Sequence, residues 1–250
     1  MTITTILIYV IARQVWGWSR IVAGVVTPVF LAIDLAFLGA NSLKILGGGW
    51  VPLVIAGVLF TLASTWKTGR RILMTKLQQQ AYPLRTFLDN LENNPPIRVP
   101  GTAVFMAAGC WGTPPALLHN LQHNKVLHER VVVLTVSTAE VPRVPGDERV
   151  QEIERLGHGF YRVILRFGFM DDPNVPAALR ALPVDAGLHI DLEDTAFFLG
   201  RETLLATPRP GMALWREKLF GAMSRNASRA TAFFRLPPDR VVEIGMHVEI

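Results

Sequence analysis

Residues Ile21 to Leu43 read IVAGVVTPVFLAIDLAFLGANSL, and Ile45 to Trp66 read ILGGGWVPLVIAGVLFTLASTW. A helix needs roughly 20 apolar residues to cross the hydrocarbon core of a bilayer. Both runs are long enough. The first carries Asp34 as its only charge and the second carries none. They predict two spanning helices, 21–43 and 45–66. Gly47, Gly48 and Gly49 predict a turn at the membrane face. Trp50 and Trp66 then fall near opposite interfaces, where indole rings prefer to lie.

Upstream, Met1 to Ala12 (MTITTILIYVIA) is apolar but only about half the length a span needs. It lacks a basic leading region, and Arg13-Gln14-Val15-Trp16 is a poor cleavage site, so a signal peptide is disfavoured. Residues 1–16 read instead as the C-terminal half of a spanning helix. Orientation follows from the basic residues. Arg13 and Arg20 lie between the first two apolar segments, and Lys67, Arg70, Arg71 and Lys76 follow the third. Only Lys44 lies in the turn between the last two. Both basic flanks are therefore expected in the cytoplasm, with the Lys44 to Gly49 turn outside and the large C-terminal part cytoplasmic.

Composition divides the chain at the same place. Of the 250 residues, 50% are apolar, and 41 of the 45 charged residues lie in 67–250. The remainder is long enough to bury one ordinary core. The net charge of +5 and the pI of 9.8 suit a domain beside an anionic leaflet. No interleaving of basic and aromatic residues points to nucleic acid. Cys110 is the single cysteine, which excludes a disulfide framework and a cysteine-based zinc site and fits a reducing compartment.

Beyond the membrane segments, Thr68 to Glu92 has Leu73, Leu77, Leu84, Phe87 and Leu91 at roughly helical spacing, with Pro83 expected to kink or split the helix. Asn93-Asn94-Pro95-Pro96 stops it. Strands are predicted at Thr102 to Ala107, Arg130 to Val136, Phe160 to Phe169, Ala196 to Leu199 and Arg240 to Ile250. In the third of these, Tyr161, Val163, Leu165 and Phe167 alternate onto one face. Helices are predicted from Pro114-Pro115 through Leu121, over Val175 to Leu182, and over Met212 to Arg225. Such alternation favours a mostly parallel or mixed sheet flanked by helices. The predicted organisation is a membrane α-helical segment over 1–66, a juxtamembrane helix and linker over 67–96, and a cytoplasmic α/β domain over 97–250.

Long runs in this chain resemble a known family. They include Arg98 to Val104 (RVPGTAV), Leu118-His119-Asn120, and His123 to Arg130 (HNKVLHER). Gly47 to Leu53, Ser64-Thr65-Trp66, Val141 to Val144, Arg209 to Met212 and Ser224 to Ala227 continue the series, which closes with Arg240 to Glu243 and Val248-Glu249-Ile250. In this order they are similar to the C-terminal part of the Kup-type potassium uptake permeases, the KUP/HAK/KT family. The resemblance implies secondary active transport of potassium, with a proton as the coupled ion. It implies a twelve-helix permease of the amino-acid–polyamine–cation type in a bacterial inner membrane. The three apolar segments would then be the end of the tenth helix, the eleventh and the twelfth. It implies a cytoplasmic C-terminal domain; separately, the two long apolar spans and the lack of a catalytic constellation argue against an enzyme, no cofactor is expected, and the cytoplasmic domain is a candidate homodimer contact. In that fold the ion site is built from discontinuous helices near the midplane. Those helices lie earlier in the family's sequence, so no ion-coordinating residue carries over. The alternative is a free-standing regulatory module that acts on a transporter in trans.

Among individual residues, Asp34 stands out as an intramembrane carboxylate, the candidate transport-linked residue, expected to carry a proton or to pair with a residue on a helix outside these residues. His119, His123 and His128 with Glu129 invite a metal reading, since the first two are four apart. Without cysteine nearby, they read better as polar side chains that cap a helix and fix the turn into a strand. Asp191, Glu193 and Asp194 read as a solvated loop ion-paired near Arg201 and Glu202. Gly157-His158-Gly159 lacks the lysine and spacing of a phosphate loop and reads as a turn. Ser224 and Ser228 have no partner that would make them nucleophiles. The helix 212–225, with Leu214, Leu219, Phe220 and Met223 apolar and Arg216, Lys218 and Arg225 basic, is expected to pack on the sheet, the alternative being an anionic leaflet.

Overall fold

A computed structural model describes residues 1–43, 45–79, 81–109, 112–183, 187–205, 211–227 and 230–249. Lys44, Cys110, Arg209, Pro210, Ser228 and Ile250, which figure in the sequence reading, lie outside the described residues. The chain forms two compact units, Met1–Ser64 and Thr65–Ile250.

The first unit is helical. Helix α1 (Thr2–Gln14) and helix α2 (Arg20–Ser42) are followed by the first half of α3 (Trp50–Gln79). Ser19 caps α2 by accepting a hydrogen bond from the Val22 amide at 3.2 Å. Gly47 and Gly48 break helical geometry before α3, and Gly48 has φ 117°, which only glycine adopts without strain. Leu7, Val25, Phe30, Phe37 and Phe60 all point outward, Phe60 at 74% exposed. Apolar side chains facing out are what a helix in hydrocarbon presents. Two helices are long and apolar enough to cross a bilayer, Arg20–Ser42 and the one that contains α3.

The second unit begins with the end of α3. Pro83 splits the predicted juxtamembrane helix: α3 stops at Gln79, and α4 spans Leu84–Asn93. The strands are β1 (Ile97–Ala107), β2 (Val126–Ala139), β3 (Val150–Gly157), β4 (Phe160–Gly168), β5 (Thr195–Leu205) and β6 (Val241–Glu249). The intervening helices are α5 (Pro115–Asn124), α6 (Val175–Arg180), α7 (Leu214–Arg225) and α8 (Ala230–Phe233). The sheet order is β3-β4-β2-β1-β5-β6, and every neighbouring pair is parallel except β3 with β4. The sheet is therefore mixed, with one antiparallel edge.

Its two faces are apolar, as a covered parallel sheet requires. On one, Val104, Val132, Leu134, Tyr161, Val163, Leu165 and Phe167 pack with Val175 and Leu179 of α6. On the other, Ala103, Phe105, Val131, Val133 and Phe160 pack with Phe87 and Leu88 of α4 and Leu117 of α5. The four alternating residues of β4 thus share one face. Strand β3 was not expected, because its sequence, VQEIERLG, mixes apolar and charged residues. An edge strand needs only one apolar side, and charge protects it from pairing with another chain. Across that edge, Glu154 accepts from Arg162 at 2.7 Å.

The end of β4 is pinned to the Val141 to Val144 run. Gly168 lies so close that a Cβ there would fall 2.3 Å from the Pro142 carbonyl oxygen. One Asp171 carboxylate oxygen accepts from the Val144 amide at 2.9 Å and the Gly168 amide at 2.8 Å. These amides, Val144 first, hold the Asp171 carboxyl below its ordinary value, helped by the charges of Arg149 and Arg143 and opposed by desolvation.

Two outcomes are expected. Gly168→Ala meets backbone that cannot step aside, so it costs about 2 kcal/mol and lowers the thermal midpoint of the detergent-solubilised chain by roughly 4–8 °C. Asp171→Asn lowers the midpoint at neutral pH. The carboxyl is depressed in the folded state, so its contribution is complete above the unfolded value of 3.8 and is lost as pH falls through the folded one. The gap in melting temperature between wild type and Asp171→Asn should therefore close progressively below pH 3.8.

Candidate transport-linked site

Within the first unit, α1 and α2 pack through small and polar residues. Ala12, Ala23 and Asp34 are the buried residues of these two helices. Ala23 and Asp34 are eleven apart, about three helical turns, so they fall on one stripe. Asp34 is 7% exposed, and Thr5 Oγ1 of α1 donates to its Oδ2 at 2.5 Å. The sequence reading looks for a partner outside these residues, whereas the structure supplies the Thr5 hydroxyl of the short first segment. Sequence reading left Asp34 without a partner, since a threonine in an apolar helix gives no signal of its own. At the loop end, Arg13 donates to the Trp18 carbonyl at 2.5 Å, which closes the turn between the helices. The carboxylate thus has a hydroxyl donor and is shielded from the outward face.

The second unit places the other candidates apart. The rings of His119 and His123 lie 5.9 Å apart on α5, whereas His128 lies on β2 with its ring 5.8 Å from Phe198. No group of three or more metal-ligating side chains gathers among the described residues. The histidines do not fix the turn after α5. Lys125 takes the left-handed C-cap at φ 57°, and Asn120 donates to the Val126 carbonyl at 3.2 Å while Asn124 donates to Asn120 at 2.8 Å. Short amides reach the backbone of their own turn better than imidazoles do. Burial pulls His128 below its ordinary value, and the Asp194 carboxylate partly opposes this.

Asp191, Glu193 and Asp194 form a single helical turn into β5, not a loop paired to Arg201. Asp191 accepts from the Glu193 amide at 2.9 Å, and Asp194 lies against Gly101, whose added Cβ would be 2.9 Å from Oδ1. Arg201 pairs across to Glu243 on β6 at 3.4 Å. A cavity of about 530 Å³ is lined by Thr231, Arg235, Leu236 and Glu243. Its charged groups are engaged, Arg235 with Asp172 and Glu243 with Arg201 and Thr231.

Arg98, which carries no role in the sequence reading beyond its place in RVPGTAV, is a clamp in the structure. Its guanidinium donates to the His128 carbonyl at 2.8 Å and the His158 carbonyl at 2.9 Å, and lies 5.4 Å from the centre of the Phe160 ring. Helix α7, expected to pack on the sheet, buries its Phe220 side on α3 among the described residues. Phe220, fully buried, sets its ring 5.5 Å from that of Trp66 and occupies the space left by Gly69 of α3. A side chain at Gly69 would come within 2.5 Å of the Phe220 ring. Arg216 Nε donates to Thr65 Oγ1 at 3.0 Å.

Comparison with known proteins places these units in order. Residues 1–71 match the K+ potassium transporter integral membrane domain, and residues 100–250 match the K+ potassium transporter C-terminal domain. A "Probable potassium transport system protein Kup" of Myxococcus xanthus is 56% identical over 250 residues, covering 100% of this chain and 38% of its own length. A "Probable potassium transport system protein Kup 1" of Geobacter sulfurreducens is 53% identical, covering 100% of this chain and 40% of its own. A Kup relative from Bdellovibrio bacteriovorus is 46% identical, covering 99% of this chain and 38% of its own. The chain therefore spans about two fifths of the length of these curated relatives. No solved structure matches it.

The Asp34–Thr5 pair predicts a stability difference. Thr5→Val removes the donor from a buried acceptor and should cost about 1–3 kcal/mol in detergent unfolding. Asp34→Asn keeps an acceptor for the same hydroxyl and should cost less. In the double variant the two effects should fall short of their sum.

Proposed function

The chain belongs to the potassium transporter family, and from that premise we propose that it is the C-terminal portion of a potassium uptake transporter that moves K+ together with a proton. The carrying observation is coverage: essentially all of this chain, in order, aligns with about two fifths of each potassium transport relative. The transporter is a multi-pass protein of a bacterial inner membrane. Residues 1–66 lie in the bilayer, 67–96 lead out of it, and 97–250 form the cytoplasmic α/β domain. The clustering of Arg13, Arg20, Lys67, Arg70 and Arg71 at two of the flanks supports that orientation.

Asp34 is the transport-linked residue of this portion. A carboxylate within a spanning helix is costly to keep unless it serves a purpose or a partner. Its packing against α1, with the Thr5 hydroxyl at 2.5 Å, gives it a polar setting in an otherwise apolar pair of helices. The ion-coordinating machinery itself is assigned to the portion of the relatives that this chain does not match.

Rubidium uptake in cells without their own potassium importers checks both statements. This chain alone should give no uptake above empty vector while present in the membrane. A chimera of the Myxococcus xanthus relative, with its matching portion replaced by residues 1–250, should restore uptake. In that chimera, Asp34→Asn should lower uptake at least about tenfold, equivalent to ~1.4 kcal/mol in the limiting step. Uptake by the chain alone would overturn the reading, as would a chimera that reaches the membrane but stays inactive.

A further inference from the structure

Helix α7 has a face that the second unit leaves uncovered. Leu214 is 50% and Trp215 58% exposed, and Lys218 and Arg225 are exposed with them. At about 100° per residue, Trp215, Lys218, Ala222 and Arg225 fall within an arc of roughly 80°, and Leu214 adjoins it. Phe220 and Glu217, the buried side, lie on the opposite half of the helix. One large aromatic and one large aliphatic side chain in the first turn, flanked by cations, is the pattern of a helix that rests on a lipid surface.

The buried side fixes where α7 sits along α3. Arg216 is bonded to Thr65, and Phe220 packs on Trp66 and Gly69. Thr65 and Trp66 are the last residues of the uncharged run 45–66, and Lys67, Arg70 and Arg71 follow at once. An indole ending an apolar run, followed by cations, marks the interface between hydrocarbon and water. A helix packed on those residues lies about 8–10 Å from the α3 axis. Each headgroup layer is itself roughly 5–8 Å deep.

We propose that the outward face of α7 lies on the anionic cytoplasmic leaflet, an inference that rests on the membrane placement given under Proposed function. Leu214 and Trp215 enter the boundary between headgroups and acyl chains. Lys218 and Arg225, with Lys67, Arg70 and Arg71 of α3, face lipid phosphates. Charge complementarity and continuity with Trp66 favour lipid over a protein partner, whose contact core would be depleted in lysine. The packing of Phe220 on Gly69 then holds the soluble unit to the leaflet as well as to α3.

The test uses the whole chain with Cys110→Ser, carrying a nitroxide at Trp215→Cys or, as an aqueous control, at Gln151→Cys on β3. Each is reconstituted into phosphatidylethanolamine vesicles containing phosphatidylglycerol, and collisions with oxygen and with a water-soluble nickel chelate are measured. At 215 the label should meet oxygen more than nickel, at headgroup depth, and at 151 the order should reverse. Nickel-favoured collisions at 215 would put the face in water and overturn the inference. Protection from both reagents would overturn it too, by placing protein over the face. Flotation of the same vesicles separates the two readings. A chain that floats but shows Trp215→Cys in water refutes only the leaflet contact, whereas a chain that does not float refutes the membrane placement as well.

Discussion

The rest of this structure depends on a change in which side chains are buried along one helix, α3. In hydrocarbon each backbone amide and carbonyl must be bonded within its own segment, so the chain is helical and its apolar side chains point outward. In water the rule inverts: apolar side chains turn inward, and polar groups remain outside. Helix α3 obeys both rules along its length. Leu59 and Phe60 are exposed, whereas Thr65, Gly69 and Leu73 are buried. The spacing of the buried three, four residues each, makes them one stripe. Gly69 is where that stripe must accept an aromatic ring from α7, and there even a methyl group has no room.

How much of this was legible in the sequence follows from the range of each interaction. Spans, Pro83 and the alternation of β4 are local patterns, and the structure has two long apolar helices, a break at Pro83 and a mixed sheet. Strand β3 was illegible, because an edge strand shares its pattern with a solvated loop. Helix α7 was read as amphipathic, but its partner, 151 residues away at the Arg216–Thr65 bond, could not be read from periodicity. The same holds for Asp34. Its position flagged it, whereas Thr5, 29 residues earlier, looks like any small polar residue in an apolar run.

The runs by which the family is recognised do mostly scaffold work in the second unit. In RVPGTAV, Arg98 joins the carbonyls of His128 and His158, and Gly101 lets Asp194 approach β1. In HNKVLHER, Lys125 supplies the left-handed residue that ends α5, and Arg130 donates to Thr102 at 3.0 Å. Val141 to Val144 is the segment that Gly168 and Asp171 hold. Apart from the local Lys125 cap, each contact joins segments distant in sequence at the ends of strands. Parallel strands need such cross-ties, because their crossovers leave the strand ends otherwise unsupported. The charged and hydrogen-bonding residues named in these runs thus help to hold the sheet. At the α7–α3 joint Arg216, Phe220 and Gly69 meet, and there a helix far along the chain packs on the helix that leads out of the apolar run.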